Sequence, residues 1–272
     1  MHPDDADAEQ ERTRQAYERA DVVERYVELR SLFPVETELV ARHLRPGRRV
    51  LDIGVGAGRT TPVLAADAAS YVGLDISATM VDACRARFPG HRFEVGDASD
   101  LARFDDASFD AVVFSFNGID HLHPRTRRAM CLAEMRRVVA PDGVVIFSSH
   151  RPFGLLAPTG RLRGVAPRLM VARLGRAVRR TALLSVQFAT APDLWDGSGY
   201  YRDLSMRRTR MFAATPARVR ATAAAAGLAE IDRLDNTFPR RSRWWTSTFT
   251  YYVMTPSPDG DQRPGEPTEV GP

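Results

Sequence analysis

The sequence predicts an α/β protein built on a doubly wound, seven-stranded, mostly parallel sheet whose last strand is antiparallel. Three observations predict it. Between residues 49 and 150, short runs rich in β-branched and aromatic residues alternate with helical patterns, the rhythm of βαβ units with right-handed crossovers. The first run empties into a glycine-rich turn that opens a helix. Two late runs, 229–234 and 246–254, have no helix between them and so form an antiparallel pair.

Each element follows from local chemistry. Residues 1–8 are polar and expected to be disordered. Residues 9–30 favour helix, with Tyr17, Val22, Val23, Tyr26 and Leu29 as an apolar stripe, and Pro34 ends the stretch. A second helix over 35–43 stops before the Pro46-Gly47 turn. Strands are predicted at 49–53, 71–74, 91–95, 109–114 and 143–148, with helices at 60–66, 78–88 and 126–139. After His150 the rhythm breaks into an irregular, arginine-rich insertion, 151–213, with one amphipathic helix near 166–184. A helix over 216–226 ends at Gly227, and the late strand pair follows. Trp244 and Trp245 precede the last strand, and at least one is expected in the core. From 255 the chain is rich in proline, glycine and acid and is expected to be disordered. The division is therefore 1–8 disordered, 9–45 helical, 46–150 core, 151–213 insertion, 214–254 the rest of the core, and 255–272 tail.

The chain has 272 residues, 44% hydrophobic and 26% charged, enough for one α/β domain with an insertion. Net charge is +4 and all basic charge is arginine, since lysine is absent. So small an excess without a dense basic stripe argues against nucleic acid as a partner. Cys84 and Cys131 fall inside helical patterns and read as small core residues, which leaves no disulfide framework. The acidic N-terminus is unlike a signal peptide, and no apolar run is long enough to span a membrane. A cytoplasmic location is expected.

The sharpest signal runs from Val50 to Thr60, an apolar strand followed by Gly54-Val55-Gly56-Ala57-Gly58. A dinucleotide turn of the G-x-G-x-x-G type requires glycine at position 59, which is Arg59. The G-x-G-x-G spacing therefore argues against NAD. Asp75 ends the second strand, where a carboxylate can accept from both hydroxyls of a ribose, and Asp97 ends the third. A single acid at a strand end is commonly a cap. A glycine turn and two acids on three successive strand ends instead outline the ligand crevice of an open α/β sheet.

The segments VLDIGVGAGRTT (50–61), YVGLDISATMV (71–81), FEVGDASDL (93–101), FDAVVFSFNGID (109–120) and RRVVAPDGVVIFSSH (136–150) together resemble class I S-adenosylmethionine (SAM)-dependent methyltransferases. The branch they look like is that of bacterial small-molecule enzymes related to quinone biosynthesis. The resemblance implies that Asp52, Gly54, Gly56 and Gly58 cradle the methionine part of SAM. It implies Asp75 for the ribose, Ile76 and Met80 beside the adenine, and Asp97 and Ala98 for the adenine amino group and ring edge. Phe114, Ser115 and Phe116 line the methionine and methyl side. The N-terminal helices, with Tyr17 and Tyr26, are similar to the cover such enzymes fold over SAM. Residues 151–213 match nothing familiar and occupy the place of an acceptor lid.

Methyl transfer from a sulfonium is an in-line displacement that depends on alignment, exclusion of water and sometimes a base. His150, at the end of the fifth strand, and His121, after the fourth, are the catalytic candidates, with His123 a weaker one. Asn117, Phe153, Trp195, Tyr200 and Tyr201 are expected to contact the acceptor. No compact set of acids and histidines suggests a metal. The stretch Ser115-Phe116-Asn117-Gly118 stands where an exocyclic-amine DNA methylase carries its proline pair, and no Pro-Cys nucleophile exists. A small-molecule acceptor is expected. The alternatives are an RNA or protein methyltransferase, or a SAM-binding protein without methyl transfer.

Overall fold

A computed structural model describes residues 3–156, 167–202, 209–240 and 247–258. The core strands are β1 (Arg49–Ile53), β2 (Ser70–Asp75), β3 (Arg92–Val95), β4 (Phe109–Phe114) and β5 (Val139–His150). They lie in the order β3-β2-β1-β4-β5 and pair in parallel. The late pair is β8 (Leu228–Asp235) and β9 (Phe249–Pro256). β9 runs antiparallel between β5 and β8, with Phe147 opposite Tyr252.

Alternate residues of each strand enter opposite cores, as a period of two demands. Leu51, Val112, Phe147 and Tyr252 pack on one face with α6 (Arg125–Val138) and α9 (Pro216–Ala225). Val50, Val113, Ile146 and Tyr251 pack on the other with α3 (Pro34–His43), α4 (Thr61–Leu64) and α5 (Ala78–Arg87). Cys84 and Cys131 are buried, one in each layer. With both faces covered, the strands read as nearly continuous apolar runs.

Two departures from the sequence reading shape the site. First, the N-terminal helix is two. α1 (Pro3–Tyr17) starts inside the segment expected to be disordered, and α2 (Ala20–Glu28) follows after Arg19 turns extended with ψ of 135°. Proline at the first helical position suits a helix start, because the proline lacks only an N–H that would be unbonded there, and a sequence with acids directly after it is favoured at that end of a helix. Second, the described part of the insertion is mostly regular. It carries α7 (Pro167–Ala189), α8 (Pro192–Trp195) and an antiparallel hairpin of β6 (Ser198–Arg202) and β7 (Arg210–Ala214). Among the described residues β7 joins the sheet through a single parallel pair, His150 with Ala213, and the sheet has nine strands instead of seven. Trp244, Trp245 and the tail from 259 lie outside the described residues.

Candidate functional site

A cleft with about 680 Å³ of empty space, part of it open to solvent, lies at the carboxyl ends of β1 to β4. Its floor is the glycine turn. Gly54 and Gly56 have φ of +63° and +55°, and a Cβ on Gly54 would come within 2.6 Å of the Phe114 ring. Only glycine meets both demands, positive φ and close approach. The Gly56 N–H donates to Asp75 Oδ2 at 2.8 Å, and the Ser77 N–H donates to Oδ1 at 2.9 Å. Burial raises the Asp75 pKa, an effect these amides only partly offset.

Asp52 lies beneath the turn, fully buried, and does not line the cleft, contrary to expectation. It accepts from Thr60 Oγ1 and, at 2.8 Å, from Tyr71 Oη. Burial pushes it up to about 6 despite those donors. Gly58 and Met80 also stand back from the cleft. Gly58 faces Phe88, and Met80 packs with Val22 and Ala57.

The wall after β4 is strained and braced. Phe116 and Asn117 have φ of +54° and +61°, a region costly for residues with a Cβ. Phe116 stacks on Phe33 at 5.4 Å, and the Arg59 guanidinium sits 5.1 and 5.3 Å from those two rings. Arg59 in turn donates to Glu36 Oε1 at 2.7 Å and to Ser115 Oγ at 3.1 Å, and Tyr251 Oη donates to the same Glu36 oxygen at 2.6 Å. Burial pushes the Glu36 carboxyl up, but the hydrogen bonds and charge of Arg59 outweigh it and hold the carboxyl below its ordinary range. Glu36 also accepts from the Phe33 N–H at the start of α3. One buried ion pair thus links α3, the glycine turn, β4 and β9. The sequence reading missed both partners, because Arg59 entered only as a broken dinucleotide pattern and Glu36 as a helical residue.

The cover consists of α1 and α2. Tyr17 and Tyr26 line the cleft, joined by Gln10 and Thr13, which were not foreseen. Spacings of three and seven residues put Gln10, Thr13 and Tyr17 on one face of α1. Tyr17 Oη lies 3.0 Å from Nε2 of His121, which also lines the cleft.

His150 lies elsewhere. Its Nδ1 is 2.9 Å from Asp120 Oδ2, and Asn117 Nδ2 is 3.4 Å from its Nε2. Asp120 is fully buried and accepts also from Arg128, Ser149 and the His150 N–H. It is the anchor of this network. Neither His150 nor Asn117 lines the cleft. His123 is structural, buried with Nε2 2.7 Å from the Arg210 carbonyl oxygen and its ring stacked on Tyr200 at 4.2 Å. Burial pushes its pKa down.

The insertion's aromatics are also a correction, since none of them lines the cleft. Tyr200 donates to the Leu122 carbonyl, and Tyr201 is buried with Met211 and Leu184. Phe153 and Trp195 pack on Phe188, with most of Trp195 exposed. Small apolar clusters of this sort form wherever an insertion must bury its own helix. Asp97 and Ala98 do line the cleft, at the β3 end, but Asp97 is engaged by Ser99 and Arg127. Among the described residues no group of three or more His, Cys, Asp or Glu side chains is placed to hold a metal ion.

Residues 50–143 match the family model described as a methyltransferase domain. That span holds the glycine turn, Asp75, Asp97 and the whole β4 wall. Over those residues the chain is similar to methyltransferase domains. A demethylmenaquinone methyltransferase of Beutenbergia cavernae is 39% identical over 136 residues, 49% of this chain and 53% of that protein. A fatty-acid O-methyltransferase of Mycolicibacterium smegmatis is 38% identical over 110 residues, 39% of this chain and 38% of that protein. The chain thus spans about half or less of the length of these methyltransferases. In structure, the 1,6-didemethyltoxoflavin-N1-methyltransferase of Burkholderia thailandensis superposes with a TM-score of 0.60 at 16% identity, over 94% of this chain and 91% of that one. The match extends the shared fold beyond the methyltransferase domain itself.

Proposed function

We propose that this chain is an enzyme that transfers a methyl group from SAM to a small-molecule acceptor. The observation that carries the reading is one cleft in which the glycine turn of β1, the buried Asp75 of β2 and the Asp97–Ala98 end of β3 meet. The cleft fits the donor. The missing side chain at Gly56 leaves backbone exposed to a ligand. Asp75 faces the cleft with two amides on it and acceptor capacity to spare, suited to a pair of ribose hydroxyls. In this assignment Gly54 and Gly56 touch the methionine part, Ile76 and Ala98 flank the adenine, and Ser115 and Phe116 border the methyl side. Asp52, Gly58 and Met80 support these contacts from behind.

When bound, SAM supplies a methyl group on a positively charged sulfur, already activated for displacement. The protein's task is then to orient the acceptor and exclude water. Tyr17, Tyr26 and Phe116 close the cleft with aromatic surface. His121 is the residue we assign to accept an acceptor proton, because it faces the cleft. His150 is a second candidate for acceptors arriving from the β5 side, where Asp120 holds its Nδ1 and leaves Nε2 turned to Asn117.

A small-molecule acceptor is supported by the names of the relatives, which act on a demethylmenaquinone and on a fatty acid. These chemistries differ, so the acceptor is a class and not a compound. We assign residues 151–213 to cover the acceptor, since the segment leaves β5 at its carboxyl end, on the same edge of the parallel strands as the cleft. Among the described residues no helix is long and apolar enough to cross a membrane. The test is incubation with SAM and a small-molecule extract of the source organism, followed by a mass search for products heavier by one methylene. A SAM-dependent product is expected. Binding of SAM with no such product across a broad acceptor panel would overturn the transferase reading.

A further inference from the structure

The long helix of the insertion, α7, is apolar on two sides. Leu184 and Phe188, one helical turn apart, pack with Leu194, Tyr201 and Met211 in the insertion's small core. On the opposite side Val178, Ala182 and Val186 follow one another at four-residue spacing, with Leu183 beside them. All four are exposed, Val178 by 61% and Val186 by 63%. Past the end of the helix Trp195 is 61% exposed, its indole N–H donating to the Phe188 carbonyl at 2.9 Å. Single exposed apolar residues are ordinary. Here, however, four of the eight large apolar side chains exposed among the described residues lie between positions 178 and 195. A helix bathed in water carries polar residues on its outer side, and a cluster of apolar ones marks a surface with a partner.

Charge decides which partner. The sequence of α7 holds Arg168, Arg173, Arg176, Arg179 and Arg180 and no aspartate or glutamate. The whole chain has a net charge of +4, so this one helix matches its entire positive excess. We infer that the outer side of α7 docks on a lipid bilayer that carries anionic headgroups. Val178, Leu183 and Val186 enter the apolar layer beneath the headgroups, and the helix's positive charge draws it to their phosphates. Basic residues combined with an exposed apolar side are the composition of an interfacial helix, and a tryptophan at its end suits the boundary between headgroup and chain. Five arginines oppose passage through the bilayer, so α7 lies on the surface. A second copy of this chain would set the same positive charge against itself, and a nucleic acid would leave Val178 and Val186 facing phosphate. The inference stands apart from the methyltransferase reading, and either can fail alone.

The test is co-sedimentation of the full chain with vesicles of phosphatidylcholine alone and of phosphatidylcholine mixed with phosphatidylglycerol. The protein should bind the mixed vesicles about tenfold or more tightly than the neutral ones, and the binding should weaken as salt is raised. Val178→Asp combined with Val186→Asp should lower binding by about tenfold or more. Both positions are exposed, so the thermal melt should match that of the wild-type protein. Arg179→Glu exchanges a positive for a negative charge at another exposed position. It should lower binding to the mixed vesicles by about tenfold or more and leave binding to the neutral ones nearly unchanged. No binding to the mixed vesicles overturns the inference. So does binding that none of these substitutions weakens, which puts the contact on another surface. A dimer that the two aspartates dissolve, seen by analytical sedimentation with no vesicle binding, gives the face to a second copy and overturns it as well.

Discussion

Asp52 and Asp75 are buried carboxylates beneath and beside one glycine turn, and their partners give them different work. Asp75 faces the cleft, so its removal should act on ligand affinity. Losing a hydrogen bond to a charged group costs about 1.5–3 kcal/mol, so Asp75→Ala should weaken SAM binding by about ten- to more than a hundredfold. Asp52 faces the interior, and its effect is on stability. Its folded-state pKa is about 6 against an ordinary 3.8. Between about 4 and about 6 the folded protein keeps a proton that the unfolded chain has released, so this residue makes stability fall as pH rises through that window. Asp52→Asn removes the titration while keeping an acceptor for Tyr71. The stability of the variant relative to wild type, from urea midpoints, should therefore improve across the window. A flat difference between about pH 4 and about pH 7 would contradict the burial argument.

At the scale of elements, the Glu36–Arg59 pair joins apolar contact in fixing α3 against the glycine turn and the sheet. Breaking a buried ion pair from one side strands a charge and costs about 3–5 kcal/mol. Arg59→Met should lose stability on that order in denaturant melts, and Glu36→Gln combined with Arg59→Met should recover much of it. If the single and double variants melt alike, the pair has no such role. The β6–β7 hairpin carries a second prediction. Tyr201 is buried against Met211 and Leu184, so Tyr201→Ala should cost about 3–5 kcal/mol of folding stability and spare SAM affinity. Weakened SAM binding with unchanged stability would contradict this. The sequence hid these features for physical reasons. The apolar stripe through Tyr17, Val22 and Tyr26 is continuous across the break at Arg19, so periodicity alone reads one helix. β6 and β7 owe their strand state to pairing with each other and to one contact with His150, which no local propensity encodes.

For the whole molecule, the sheet was legible because both its faces are covered. β1 and β4 fall where the apolar runs place them, and the antiparallel β8–β9 pair follows from the missing helix. The floor and β2 wall of the cleft were legible too, since glycine and acid at strand ends have few other uses in that combination. The rest was not. Arg127 lies thirty positions from its partner Asp97, and pairings at that range leave no local pattern. Gln10 and Thr13 sit on a polar face that a search for apolar stripes passes over. The same geometry predicts that methyl transfer needs no divalent ion, so activity should survive a chelator; loss with chelator and recovery with magnesium would contradict this. The central claim is that the cleft over the glycine turn is the donor site. Titration calorimetry of S-adenosylhomocysteine into the wild-type protein and into folded Asp75→Ala tests it most directly. Saturable binding to one site, weakened about tenfold or more by the substitution, is the predicted result; equal affinity in the two proteins, or no binding to either, would contradict it.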